Sequence, residues 1–124
     1  MTLNQIIDTI ITTETLEDTT CNFYLNGDAI GHPIDFHSWR GAYNYLGVEL
    51  TYSADNITPS EFLSFISNFE PGVYTGWKGG DNNLDFDTEF YIDDGVGTVG
   101  NCVAATEIVF EDNIIKIICE EDMF

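Results

Sequence analysis

The run 114–119 constrains the fold more than any other segment, because it is apolar at every position except Lys116. A strand with one face in water alternates apolar and polar residues, so a continuously apolar strand lies inside a sheet. Residues 103–110 also have strand character, and Glu111, Asp112 and Asn113 separate the two runs. We therefore predict a hairpin of 103–110 and 114–119 whose second strand is internal.

Two segments have the pattern of amphipathic helices. The first begins with Thr2 and Gln5, which have the spacing of a capping box. Its apolar face is Leu3, Ile6, Ile7, Ile10 and Ile11. The threonines that follow are poor helix formers, so we expect this helix to fray by about residue 18.

The second helix carries the clearest start and stop signals in the chain. Thr58 is the predicted N-cap, Pro59 the first helical residue and Glu61 the partner in a capping box. Phe62, Phe65, Ile66 and Phe69 follow at helical spacing, and Pro71-Gly72 ends the helix.

The remaining apolar segments are predicted strands. Asn26-Gly27 favours a two-residue type I′ turn between strands 23–25 and 28–30. Further strands are predicted at 34–39, at 48–52 and at 90–92. No internal repeat or linker divides the chain, so we predict one α+β domain over 1–124, with a mainly antiparallel sheet covered by two helices.

The net charge limits the partners of such a domain. There are 22 acidic residues against Arg40, Lys78 and Lys116, for a net charge of −19. This surface repels phosphate backbones and anionic lipids, so we expect no direct binding to nucleic acid or membrane. The chain also lacks an apolar run near the ~20 residues that span a bilayer, and the basic start of a signal peptide.

The same charge favours a basic protein as the partner. Nineteen phosphates occupy roughly 32 Å of duplex DNA, and a globule of this size is about 35 Å across. Residues 1–70 hold ten acids and 71–124 hold twelve, interleaved with core residues. Two alternative explanations of the negative charge remain. One is solubility, which needs a net charge of only ~2–8, and the other is adaptation of the protein to high salt.

The three cysteines, Cys21, Cys102 and Cys119, have no metal-binding spacing. An odd number without a disulfide pattern indicates a reducing cytosol, with free and buried thiols.

Three segments resemble reactive motifs without matching them. Residues 81–85 resemble the opening of a calcium loop, but Phe86 and Ile92 stand where that loop needs glycine and glutamate. This favours a solvated loop, with a weak, irregular cation site among the dense carboxylates as the alternative. His32 and His37 flank Asp35, but there is no third histidine to complete a zinc or iron site. Residues 76–80 contain glycines and Lys78 without the P-loop pattern, which favours a tight turn.

Arg40 is the single arginine beside 22 acids. Its rigid donor fork suits a partly buried pair with a carboxylate, next to Trp39. The alternative is that Arg40 and Trp39 recognise an anionic or aromatic ligand.

Three separated motifs resemble those of a group of small, uncharacterised bacteriophage accessory proteins. The resemblance covers about residues 34–95 and rests on the segment from Phe36 to Tyr43, which contains Ser38-Trp39-Arg40-Gly41, on Gly76-Trp77-Lys78-Gly79-Gly80, and on Thr88 to Gly95, with Thr58 and Phe62-Leu63 between the first two. It implies a phage protein made in the cytoplasm of the infected bacterial host, and it carries no catalytic residue or cofactor. The acids of 81–94 and the isoleucine-rich N-terminal helix depart from the group.

These observations predict a phage-encoded acidic protein that inhibits a host nucleic-acid-binding defence protein, a restriction or CRISPR-type nuclease, by nucleic-acid mimicry. The predicted partner is the basic nucleic-acid-binding surface of that host protein, and we expect neither catalysis nor a cofactor. The predicted contact residues are Asp81, Asp85, Asp87, Glu89, Asp93, Asp94, Glu111, Asp112, Glu120, Glu121 and Asp122. Two alternatives stay open: a small-ligand or nucleotide-signal sponge that uses Trp39, Arg40, Trp77 and Lys78, and a metal-dependent enzyme that uses the dense carboxylates.

Overall fold

The computed structural model describes residues 1–38, 45–75, 80–93 and 101–123, and it has an α+β fold with two helices and nine strands in this part of the chain. The elements in chain order are α1 Leu3–Thr12, β1 Thr20–Leu25, β2 Asp28–Gly31, β3 Pro33–Ser38, β4 Leu46–Leu50, α2 Pro59–Ile66, β5 Gly72–Thr75, β6 Asp81–Leu84, β7 Phe90–Asp93, β8 Asn101–Glu111 and β9 Ile114–Met123. Among the described residues, no helix has the length and apolar character needed to cross a membrane.

Seven strands form one mixed sheet in the order β2-β1-β9-β8-β7-β4-β3. Four neighbouring pairs are antiparallel, whereas β1 with β9 and β4 with β7 are parallel. β9 lies between β1 and β8, which confirms the prediction that the 114–119 run is internal. The structure also confirms the hairpin, with strands longer than predicted.

One face of this sheet belongs to the hydrophobic core. Phe23 of β1 lies opposite Ile117 of β9, and both side chains are fully buried. Their neighbours in sequence point to the other face, where Lys116 is half-buried. The core also includes side chains of both helices: Leu3, Ile6, Ile10, Phe62 and Ile66. Phe62 contacts Phe23 with ring centroids 5.6 Å apart.

Both helices begin at the predicted caps. Thr2 and Thr58 each accept a hydrogen bond from the backbone N–H three residues on, and Gln5 and Glu61 complete the two capping boxes. The first helix ends at Thr12, well before the predicted limit near residue 18. The Thr13 hydroxyl donates to the carbonyl of Thr9 at 2.6 Å, which offers the backbone an alternative to another helical turn.

Two tight turns follow from residues that tolerate positive φ. Asn26 and Gly27 have φ of 53° and 85°, as the predicted type I′ turn between β1 and β2 requires. Asp112 and Asn113 have φ of 53° and 63° between β8 and β9. Because a two-residue loop fixes hairpin register, this second turn determines how β8 and β9 pair.

The sequence did not reveal a second, two-stranded sheet. Asp81–Leu84 forms β6 and pairs with β5, so the prediction of a solvated loop is wrong over these four residues. Asn82 and Leu84 are buried, and the Asn82 amide donates to the Ser38 hydroxyl at 3.0 Å. The predicted strand over 48–52 also ends early, at Leu50, because Tyr52 has φ of 54°.

Candidate acidic binding surface

The carboxylates of the described residues face solvent. Every acidic side chain whose exposure the structure describes is exposed, apart from half-buried Glu49. Lys116 donates to Glu111 at 2.9 Å, which raises the pKa of the lysine, and the N-terminal ammonium pairs with Glu89. Most of the negative charge in the described part of the chain is therefore directed outward.

One group of predicted contact residues lies beside the start of α1. The Asn4 amide donates to Asp87 at 2.7 Å, and the Asn4 backbone N–H donates to the Phe86 carbonyl at 3.0 Å. Thr2 forms an isolated bridge with Glu89. These contacts hold Asp87 and Glu89 against the helix, and they require the N-terminal residues to pair with a segment some 85 positions away.

A second group lies at the tip of the β8–β9 hairpin, where Glu111 and Asp112 meet an acid from another segment. The Asn113 amide donates to the carboxylate of Asp18 at 2.6 Å. The amide oxygen of Asn113 accepts from the Thr19 hydroxyl at 2.6 Å. Asn113 thus fixes Asp18 close to Asp112, although the two acids are far apart in sequence.

The C-terminal acids are not part of the tip group. Glu120 and Glu121 lie opposite Ala104 and Val103, whereas Glu111 lies opposite Ile114. Six strand positions from Ile114 to Glu120 correspond to roughly 20 Å, and Glu120 and Glu121 point to opposite faces of the sheet. The predicted C-terminal extension therefore divides into two separate groups, Glu111 with Asp112 at the tip and Glu120 with Glu121 away from it.

Asp81 is also separate, because it lies on β6 of the small sheet, opposite Thr75. Asp94 lies outside the described residues, as do the side chains of Asp93 and Asp122. The residues of the alternative ligand site, Trp39, Arg40, Trp77 and Lys78, lie outside the described residues too, so that alternative stays a prediction.

A cavity of about 650 Å³ lies between α1 and β8. Its walls are Met1, Gln5, Asp8, Thr9, Glu89, Ala105, Thr106 and Ile108. The carboxyl-bearing residues of this wall are Asp8 from α1 and Glu89 from the segment before β7. The cavity therefore brings Asp8, which sequence reasoning missed, to the same edge of the sheet as Glu89.

Together these contacts define a set that we name the β8-edge acids. Its members are Glu107 and Glu111 on β8, Asp112 at the hairpin tip, Asp18 on the β9 side of that tip, and Asp8 and Glu89 at the cavity. The six positions from Thr106 to Asp112 correspond to roughly 20 Å. A duplex of that length carries about a dozen phosphates on its two strands, roughly half of them on one side. Because Glu89 pairs with the N-terminal ammonium and Glu111 with Lys116, the six acids less these two cations leave a net charge of about −4, smaller in magnitude than that of one side of such a duplex.

The histidines do not form a common site. His32 is buried and stacks on Phe65 with ring centroids 4.4 Å apart, whereas the ring of His37 lies against Gly47. Within the described residues there is no cluster of three or more His, Cys, Asp or Glu side chains suited to a metal ion.

Cys21 and Cys119 are free thiols in the core, as predicted, and the side chain of Cys102 lies outside the described residues. Burial raises the pKa of Cys21 far above its usual range and that of Cys119 to about 12. Because the thiolate is the reactive form, neither is suited to nucleophilic catalysis.

Comparison with protein-family models, with curated proteins and with solved structures finds no match to this chain.

Proposed function

We propose that the chain is a bacteriophage-encoded inhibitor of a host nucleic-acid-binding defence protein, a restriction or CRISPR-type nuclease. Its carboxylates replace phosphates in the basic groove of that protein, within the cytoplasm of the infected host. The observation that carries the proposal is the set of β8-edge acids, which are exposed and which four separate segments bring to the stretch of β8 between the cavity and the hairpin tip, roughly 20 Å long. In this proposal the two helices cover one face of the sheet and leave the edge accessible.

The distribution of charge supports a basic partner over charge needed for solubility alone. Solubility requires negative charge anywhere on the surface. Here Asn113 directs one acid toward the hairpin tip, and α1 brings Asp8 to the same edge. A positively charged groove would associate rapidly with such an edge, and screening by salt would slow that association.

No single carboxylate is expected to dominate the interaction. Exposed ion pairs contribute about 0.2–1 kcal/mol each, so affinity depends on several acids acting together. The scaffold matters for the same reason, because the fold holds the segments that carry these carboxylates in place and reduces the entropy lost on binding.

The phage origin in this proposal rests on the sequence motifs within residues 34–95, which resemble those of small phage accessory proteins. The motifs supply the setting and no activity, so the inhibitory function depends on the charge argument.

The test is a DNA-cleavage assay with purified restriction and CRISPR-type nucleases. We expect inhibition that a higher concentration of the DNA substrate relieves, and that weakens about tenfold or more between about 50 and about 300 mM salt. A polyglutamate peptide of matched net charge is the control and should inhibit less, because it lacks fixed spacing. Inhibition that is indifferent to both salt and the concentration of the DNA substrate would contradict the proposal.

A further inference from the structure

The outer edge of β8 lacks a neighbouring strand over much of its length. β7 pairs with β8 where Ile92 lies opposite Val103, near the start of β8. The register of β8 then shifts between Ala105 and Glu107. Beyond that shift, up to Glu111, β9 lies on one side of β8, and no strand of the described residues lies on the other.

The N-terminus explains why β7 and β8 separate. The Phe90 N–H donates to the Met1 carbonyl at 3.3 Å, and Thr2 bridges to Glu89. The first residues therefore occupy the side of β7 that would otherwise continue to pair with β8.

Hairpin geometry identifies the backbone groups that face outward. In a hairpin with a two-residue loop, the residues that flank the loop exchange hydrogen bonds, and every second residue repeats the pattern. Glu111 and Val109 lie opposite Ile114 and Lys116, so their N–H and C=O groups point to β9. The corresponding groups of Ile108 and Phe110 then point away from β9. Phe110 is also an exposed large apolar side chain.

An open cavity lies beside part of this edge. The cavity of about 650 Å³ is bounded by Thr106 and Ile108 on one side and by Gln5, Asp8 and Thr9 on the other. It is therefore lined by Ile108, one of the two residues whose backbone groups point away from β9, and it does not reach Phe110.

The charges around the edge indicate which side chains an added strand should have. Glu107 and Glu111 are paired with Ile118 and Ile114, whose side chains lie on the sheet face away from the core. Asp8 and Glu89 line the cavity on the α1 side. Alternate residues of an added strand point to opposite faces, so basic residues on either face would meet carboxylates. A second copy of this chain, with a net charge of −19, would instead be repelled.

We propose that the outer edge of β8, from Thr106 to Phe110, binds an extended basic segment of the partner protein as an added β-strand. Main-chain hydrogen bonds to Ile108 and Phe110 supply the register, and the flanking acids select arginine and lysine side chains. This inference rests on the proposed function for the class of partner, a nucleic-acid-binding protein, and adds the way in which it is recognised.

The test uses a short synthetic peptide in which arginine alternates with threonine, and a second peptide of the same sequence with every backbone amide N-methylated. The second peptide keeps the charge but has no amide donors. Binding is measured with the wild-type protein, with Phe110→Pro and with Phe110→Ala. Proline removes the outward N–H without affecting the β9 ladder, whereas alanine removes only the ring.

We expect the unmodified peptide to bind Phe110→Ala about tenfold or more tighter than Phe110→Pro, and to slow amide exchange at Ile108 and Phe110 of the wild type about tenfold. The exchange measurement needs no variant, so it stands even if Phe110→Pro does not fold. Equal binding of the two peptides, with unchanged exchange at Ile108 and Phe110, would overturn strand addition. That result would not affect the proposed function, because inhibition that competes with DNA does not require an added strand. Conversely, inhibition that does not compete with DNA would contradict the proposed function and would not affect the peptide result.

Discussion

His32 is a buried titratable group that links the stability of the fold to pH. Its ring stacks on Phe65, and Nδ1 has no hydrogen-bond partner among the described residues. Burial lowers the pKa of His32, while the charges of Asp55 and Glu61 oppose that shift. The folded state therefore favours the neutral ring.

This environment predicts that His32 makes the protein less stable as the pH falls below about 6.5, the ordinary pKa of histidine. In that range the unfolded chain binds a proton more readily than the folded chain, so protonation favours unfolding. We expect urea denaturation to show the loss between pH 7 and pH 5, and His32→Phe, which keeps the ring stacking, to reduce it. If both proteins lose equal stability over this range, the effect comes from other groups.

Gly31 combines a positive φ with a close approach. Its φ is +118°, and a Cβ added there would meet the Thr51 hydroxyl and the Tyr52 backbone nitrogen. Gly27 has φ of +85° with nothing within 4 Å of an added Cβ. The two glycines therefore separate backbone strain from steric clash.

We predict that Gly31→Ala lowers the free energy of unfolding by about 3 kcal/mol and Gly27→Ala by about 1 kcal/mol. The difference between the two losses of unfolding free energy measures the clash of the added methyl group with Thr51 and Tyr52. Chemical denaturation of both variants checks it, and an equal loss of stability would mean that the Thr51 segment moves aside without cost.

At the scale of elements, the cap of α2 joins a short helix to the core. Thr58 and Glu61 exchange hydrogen bonds of 3.1 and 3.2 Å with each other's backbone N–H groups. The helix has only eight residues, so its start contributes a large share of its stability.

Thr58→Ala should lower the unfolding free energy by about 1 kcal/mol, because it leaves a backbone N–H of the first turn without its acceptor. Thr15→Ala, in the exposed segment after α1, is the matched control and should change stability by less than about 0.5 kcal/mol. Denaturation curves of the two variants that coincide would show that the cap does not stabilise α2.

Elements defined by local signals could be predicted from the sequence. Thr2, Thr58 and Asn26-Gly27 act on residues within four positions, so their patterns identified the helix starts and the first turn. β6 could not be predicted in this way. Its residues are mainly polar, and Asn82 is buried because Ser38, 44 positions away, accepts its hydrogen bond.

The same distinction between local and long-range contacts explains which residues of the candidate site could be predicted. Acid-rich segments were evident in the sequence, and Glu89, Glu111 and Asp112 are among the β8-edge acids. Asp8 and Asp18 were missed, because their grouping depends on the cavity and on Asn113. Glu107 was missed because it is a single acid within the run 103–110 and lies outside the acid-rich segments. The parallel pairing of β1 with β9 joins residues more than 90 positions apart, and no local pattern specifies it.

At the scale of the whole molecule, the central claim is that the position of the charge matters more than its amount. Every described acidic side chain apart from Glu49 is exposed, so acids away from β8 provide a control of equal charge. Asp28, Asp55 and Glu70 are exposed and lie on β2, in the segment before α2 and after α2.

The most direct test compares two triple variants in the nuclease assay at fixed salt. One removes three β8-edge charges, by Asp8→Asn, Glu107→Gln and Asp112→Asn. The other removes three charges elsewhere, by Asp28→Asn, Asp55→Asn and Glu70→Gln. We predict that the first raises the half-inhibitory concentration about tenfold or more and the second less than about threefold. Equal effects of the two triples would contradict the claim, because the protein would then act through its net charge alone.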